Sequence, residues 1–297
     1  MLALSLPKFT NRIKATEIHI VPQQDTPIRL QEYGAGIFNL ISTKSALKKA
    51  IKKQLISVNG AIASTATLIH GGEEISLFIP EENTATRKLI FPLKVIYEDE
   101  YLAAIHKPAG ILVSGNSFKT IANALSQNLE VSPLADATLP QPVHRLDFAT
   151  TGILLVGKTS SSIHALNKLF EDKEIKKTYD AVCIGKINSD GLMNSNIDGK
   201  PARAFYKIIE SKSSNRFEYL NLLKLYPETG RRHQLRIQLS EIGNPILGDK
   251  DYGIENLILQ GKGMYLHAYS LEFEHPFTKE KMLLIAETPS KFKKLFN

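Results

Sequence analysis

The 297-residue sequence predicts an α+β protein, with a large domain on a mixed, mostly antiparallel sheet preceded by a small α+β domain. Three observations carry this expectation. Beyond Leu93 the chain is rich in alternating or β-branched stretches with few helices between them, which favours hairpin-like pairing over a doubly wound parallel sheet. Between Arg29 and Pro80, helix-period segments are followed by short strands. A polar, weakly patterned stretch separates the two. The expected organisation is an arm over residues 1–28, a small domain over 29–80, a linker over 81–92 and the large domain over 93–297.

In the small domain Leu30, Tyr33 and Ile37 recur at helical spacing, with Gly34 and Gly36 weakening the pattern. Ser42 to Ser45 offer N-cap residues for a helix running to about Lys53. Leu47, Ala50 and Ile51 share one face of it, while Lys44, Lys48, Lys49, Lys52 and Lys53 load the other flank. Ile56 to Val58 then leads into Asn59-Gly60, the strongest two-residue hairpin signal. Gly71-Gly72 precedes an alternating strand from Glu73 to Ile79, ended by Pro80. A lysine-loaded helix beside a small sheet suits docking on a phosphate backbone, although most charge runs are solvated faces.

In the large domain, strands are expected at Lys94–Ile96, Leu102–Ile105, Ile153–Val156, Tyr179–Ile184, Arg203–Glu210, Glu218–Tyr226 and Lys281–Ala286. Helices are expected at Ile121–Asn128, Ile163–Asp172 and Arg231–Ile242.

Composition narrows the function classes. With 43% hydrophobic and 23% charged residues the chain reads as soluble and globular, and it has no apolar run long enough for a membrane span. The N-terminus lacks the basic start and apolar core of a secretory signal. A single cysteine, Cys183, excludes an internal disulfide framework and suits a reducing, cytoplasmic setting. The net charge of +7 attracts polyanions without proving that one binds.

Three segments carry candidate chemistry. His144 to Gly152 sets the carboxylate of Asp147 just before the apolar run Ile153 to Val156, with Arg145 and His144 beside it. An isolated loop Asp more often makes a local turn. Thr229 to Arg236 places arginines at a helix start, where cations oppose the helix dipole and need an anionic partner, RNA phosphate or a buried carboxylate. Lys176 to Val182 brings Tyr179 to a strand start, a common core position that can also offer a stacking surface for a nucleobase.

Taken together these segments resemble the RluA-type pseudouridine synthases. His144 to Gly152 matches the signature H-R-L-D-x-x-T-S-G with Thr151 for the usual Ser. His106 to Val113 is similar to the family's Asn-Lys-Pro-Ala-Gly motif, with His106 for Asn. Gly230 to Arg236 is similar to G-R-T-H-Q-I-R, with Arg232 for Thr and Leu235 for Ile. Ile242 to Gly253, Leu266-His267-Ala268 and His275-Pro276 continue the pattern in order, so the resemblance spans the larger domain. Gly115-Asn116 stands where relatives often have His-Pro. The lysine helix, Val58-Asn59-Gly60 and Gly71 to Ile75 resemble the S4-like RNA-binding domain over about fifty residues.

The resemblance implies a pseudouridine synthase fold and an RNA-directed isomerase that needs no cofactor and no metal. Its substrate is expected to be structured RNA, 23S-type ribosomal RNA first and transfer RNA second, with the enzyme acting as a monomer away from membranes. It implies Asp147 as nucleophile, Arg236 against that carboxylate, and Tyr179 packing on the uracil with a later part in proton removal. Arg145 is expected to occupy the vacated stack, with His144, Thr150 and Leu266 completing the substrate pocket. The RNA-contacting set is expected to be Lys48, Lys49, Lys52, Lys53, Lys107, Arg231, Arg232 and His233. A non-catalytic RNA-binding or ribosome-assembly factor would share the basic helix but has no use for Asp147, Tyr179 and Arg236 together. A zinc hydrolase on His233, His267 and His275 lacks a compact ligand pair.

Overall fold

Asn59 and Gly60 both take positive φ, 47° and 78°, the geometry that joins two twisted strands through a two-residue turn. That hairpin belongs to the first of two units, 1–87 and 88–297, in a computed structural model describing residues 15–297 save 39, 42, 79–88 and 260. The expected cap at Ser42, the strand end at Ile79 and Pro80, most of the linker and the start of the arm lie outside the described residues.

The first unit runs β1 (Glu17–Ile20), β2 (Ile28–Arg29), α1 (Leu30–Tyr33), α2 (Lys44–Lys52), β3 (Ile56–Val58), β4 (Ala61–Ile62), β5 (Leu68–Ile69) and β6 (Glu74–Leu77). A sheet of order β1-β6-β3-β4 packs its inner face on the helices, and β2 pairs with β5. Thr43 caps α2 by accepting the Ala46 N–H. Leu47, Ala50 and Ile51 are buried, and the five lysines from Lys44 to Lys53 are exposed. The arm expected up to Ile28 is corrected in part. Residues 17–20 pair antiparallel with β6 and Val21 enters the core. Ile18 and Ile20 alternate with Glu17 and His19, a pattern too short to stand out without its partner strand.

The second unit runs β7 (Lys94–Glu98), β8 (Leu102–Lys107), α3 (Ile121–Leu125), β9 (Ala137–Pro142), β10 (Thr151–Thr159), α4 (Ser160–Glu171) and β11 (Lys176–Ile184). It continues with β12 (Gly191–Ile197), β13 (Lys200–Ser214), β14 (Glu218–Pro227), α5 (Gln234–Glu241), β15 (Leu266–Glu274), β16 (Lys281–Ile285) and α6 (Ser290–Lys293). Its sheet has the order β12-β13-β14-β11-β15-β10-β8-β7, with β16 added on β15 and β9 on β10. Every pairing is antiparallel except β10 with β15, so the sheet is mixed and mostly antiparallel.

The parallel pair sets the site. Thr151 faces His267 and Gly152 faces Ala268. A Cβ on Gly152, whose φ is +119°, would sit 2.2 Å from the Ala268 carbonyl oxygen, so only glycine lets the strands meet here. Thr151 Oγ1 bonds His267 Nδ1 at 2.7 Å, and His267 Nε2 reaches the Ala286 carbonyl. At the far end Asp99 accepts the Tyr101 and Leu102 N–H groups, the Tyr97 hydroxyl and His275 Nε2, tying the β7–β8 turn to the β15–β16 turn. Among the described residues no helix is long and apolar enough to cross a membrane.

Candidate active site

The loop between β9 and β10 carries Asp147, and Lys107 holds that loop in place. Its side chain is wholly buried (0% exposed), and Nζ donates to the carbonyls of Pro108 (3.0 Å), Phe148 (3.3 Å) and Thr150 (2.8 Å). The Gly110 N–H donates to the same Phe148 carbonyl. Burial pushes the ammonium down to about 8, with Asp147 partly offsetting it, so it stays charged at neutral pH. Lys107 was expected to touch RNA; the structure corrects this, because all its donors are spent on backbone oxygens under the loop. We expect Lys107→Met to leave the Pro108 and Thr150 carbonyls short of a donor. The cost is about 1–3 kcal/mol per buried group and should lower the melting temperature by roughly 2–4 °C per kcal/mol. An unchanged melting curve would contradict the bracing role.

Arg236 faces the loop from the first turn of α5. Its Nε and Nη2 bind Asp249 at 2.6 and 2.7 Å, and Nη2 also binds Asp251 at 2.6 Å. Nη1 is left for Asp147, whose Oδ2 lies 3.4 Å away. His233 Nε2 approaches Oδ1 of Asp147 at 3.7 Å, while its Nδ1 bonds the Tyr252 hydroxyl. The guanidinium plane lies over the Tyr252 ring, 4.9 Å from its centroid. Burial opposes the charge on Arg236, but Asp249, Asp251 and Asp147 outweigh it and hold the group above its ordinary value. Asp249 is fully buried (0% exposed), and Oδ1 also accepts the Asp251 and Tyr252 N–H groups. From sequence alone the partner of this arginine is open between RNA phosphate and a carboxylate, and nothing local singles out Asp249, although the Gly248 to Gly253 segment holds two aspartates flanking a lysine.

The helix expected from Arg231 begins later, at Gln234, because His233 takes a left-handed conformation (φ 54°). Arg232 therefore lies outside the helix that carries Arg236. Gln234 stabilises the preceding turn, accepting from Thr229 Oγ1 (2.7 Å) and the Arg231 N–H (3.0 Å) and donating to the Arg203 carbonyl (3.1 Å). Arg231 Nε donates to the Pro201 carbonyl.

A pocket of about 190 Å³ opens above Asp147, lined among others by Arg145, Thr150, Tyr179 and Leu266. Lys177, Arg231, Arg232 and His233 complete its basic side. Tyr179 follows a register shift of β11 against β15 between Thr178 and Tyr179, an irregularity of the kind that re-aims side chains beside sites. Burial, and then the charge of Asp147, push the phenol above its ordinary value, so it is neutral and able to donate. Thr150 Oγ1 is buried and has no hydrogen-bond partner among the described residues.

His144 is not among the residues lining this pocket. Its Nε2 accepts the Leu155 N–H at 2.9 Å and its ring lies 4.6 Å from Phe170. Burial, helped by Lys177, holds it down at about 3, and an accepting Nε2 leaves it neutral. A histidine three residues before the signature Asp thus anchors the loop to β10. Lys48, Lys49, Lys52 and Lys53 belong to the first unit. His233, His267 and His275 sit in three separate hydrogen-bond sets, and no metal-holding cluster occurs among the described residues.

Residues 101–241 match the family model described as RNA pseudouridylate synthase. The chain is 32% identical to the ribosomal large subunit pseudouridine synthase D of Nitrosomonas europaea, covering 91% of this chain and 83% of that protein. It is 31% identical to the ribosomal large subunit pseudouridine synthase C of Rickettsia bellii, covering 90% and 96%. Among solved structures the human RNA pseudouridylate synthase domain containing 4 superposes with a TM-score of 0.55 at 24% identity, over 67% of this chain and 90% of that one.

Proposed function

The chain belongs to the RNA pseudouridylate synthase family, and from that premise we propose that it isomerises uridines of large-subunit ribosomal RNA, with Asp147 as nucleophile. The observation that carries the residue assignment is one pocket holding the Asp147 carboxylate, an Arg236 Nη1 at 3.4 Å from it and a neutral Tyr179. The names of the Nitrosomonas and Rickettsia relatives favour ribosomal over transfer RNA.

The target uridine leaves its stack at a cost of a few kcal/mol, and Arg145, exposed at the pocket rim, fills the vacated space. Tyr179 and Leu266 sandwich the uracil, stacking on the phenol being worth about 1–3 kcal/mol. Asp147 meets the positive charge that develops as the bond from C1′ to N1 breaks. The base turns, C5 bonds to C1′, the proton on C5 leaves towards the Tyr179 side, and N1 takes up a proton. The product keeps every atom of the substrate, so no redox partner enters the balance.

The test is incubation of the full chain with transcripts of large-subunit ribosomal RNA and of transfer RNAs, followed by carbodiimide mapping of pseudouridine. New pseudouridine at defined ribosomal positions is the expected result; modification confined to transfer RNA would overturn the substrate assignment. The exposed lysines of α2 are proposed to contact phosphates. Changing Lys48, Lys49, Lys52 and Lys53 to glutamine should flatten the dependence of log affinity on log salt by about 0.9 per lost contact. An unchanged slope would retire α2 as an RNA contact.

A further inference from the structure

Buried or half-buried cations in the second unit are neutralised or solvated by the chain almost everywhere. Lys158 bonds Glu98 and the Asp99 carbonyl, Lys224 bonds Asp180, and Lys291 reaches the carbonyls of Lys262 and Met264. Lys107 has its three carbonyls and Arg236 its carboxylates. Lys177 breaks the pattern. It is half-buried in the pocket wall, two residues before Tyr179, and has no carboxylate or carbonyl partner among the described residues, whereas its exposed neighbour Lys176 pairs with Glu272.

Its surroundings leave the ammonium free for a ligand. Gly230 stands beside it in the pocket lining, where a Cβ would lie 3.8 Å from Lys177 Nζ, so the ammonium sits within van der Waals reach of the turn that leads to Arg231 and Arg232. The pocket's carboxylate, Asp147, is already engaged by Arg236 and approached by His233. Arg231 and Arg232 add positive charge on the Gly230 side. Burial, and then Lys173, hold the Lys177 ammonium below its ordinary value, as expected for a desolvated cation without a counter-ion. A half-buried ammonium with three donors and no partner in the chain is open to neutralisation by an anion.

Building on the function proposed above, we propose that Lys177 is a phosphate-binding residue of the active-site pocket, clamping the phosphodiester that adjoins the extruded uridine. The only anions RNA presents are its phosphates, and a nucleotide turned into this pocket must bring its backbone to the rim. Clamping that linkage fixes the ribose relative to Asp147 while the base is left free to rotate. Lys177 is thus a positioning residue for the sugar, separate from the groups that meet the base.

The test uses the full chain and a ribosomal RNA fragment containing a uridine that the wild type isomerises. A second copy of the fragment carries neutral methylphosphonates on the two linkages flanking that uridine. Wild type should bind the neutral-linkage RNA about ten- to a hundredfold more weakly. Lys177→Met should show a similar loss on the all-phosphate RNA, little further loss on the neutral-linkage RNA, and a salt slope shallower by about 0.7–0.9. Lys177→Arg should recover most of the affinity, which a variant that simply misfolds would not. Equal fractional losses by Lys177→Met on both RNAs, or no loss on either, would overturn the phosphate site while leaving the isomerase reading intact. Absence of wild-type turnover on any ribosomal fragment would instead sink that reading and this one with it.

Discussion

Asp147→Asn is expected to lower the single-turnover rate of pseudouridine formation about a thousandfold or more, while RNA affinity and the melting temperature stay close to wild type. The amide keeps the shape of the carboxylate but cannot supply its charge or its nucleophilic oxygen. The fold should tolerate the change because Asp147 is a minor partner of Arg236. The contact is 3.4 Å, against 2.6–2.7 Å to Asp249 and Asp251, and the side chain is 22% exposed. Partly solvated pairs of this kind contribute about 0–1 kcal/mol. Single-turnover assays beside thermal denaturation separate the two effects. Wild-type rates in Asp147→Asn would remove the nucleophile assignment and require another carboxylate within the pocket.

The opposite profile is expected for Arg236→Ala, with stability and activity failing together. Asp249 would keep its two backbone N–H donors but lose both guanidinium bonds while fully buried. Breaking a buried pair by removing one partner costs about 3–5 kcal/mol, or roughly 6–20 °C in melting temperature for a unit of this size. Arg236→Lys should recover little, since a point charge cannot reproduce the fork on Asp249. A double variant, Arg236→Met with Asp249→Leu, removes the uncompensated charge and should regain part of the stability without regaining activity. Full activity in Arg236→Ala would show that Asp147 needs no guanidinium. The pH dependence has a definite sign. Burial raises the Asp249 carboxyl but Arg236 outweighs it, so its folded value lies below its unfolded one. The pair's stabilisation is therefore present at neutral pH and is lost as pH falls through the acid range.

The large-domain strands with strong local pattern were legible in the sequence; most observed bounds extend the expected ones by a few residues, while β16 ends one residue short, at Ile285. β12, β15 and the edge strand β9 were not. β9 contains Pro140 and Pro142, which argue locally against a strand and are tolerated because it pairs only with β10. β15 buries Leu266, His267 and Ala268 in succession and then Ser270 and Leu271, so it lacks a clean alternation and reads as a strand only once strands lie on both sides of it. The lower bound of the small unit was misplaced for a similar reason, because β1 is a strand only through β6.

The sequence by itself determined the mixed, mostly antiparallel fold class, the α2 lysine face and the pseudouridine synthase family, because patterns and motifs are local in the chain. Only the tertiary structure decided which charges meet. It buried Lys107 under the Asp147 loop, turned His144 into a backbone acceptor, gave Arg236 chiefly to Asp249 and left Lys177 without a carboxylate or carbonyl partner among the described residues. The physical reason is that a side chain's state depends on desolvation and on neighbours brought together from remote positions. Residue 236 meets one carboxylate 13 positions away and another 89 away, separations that local sequence pattern does not reach.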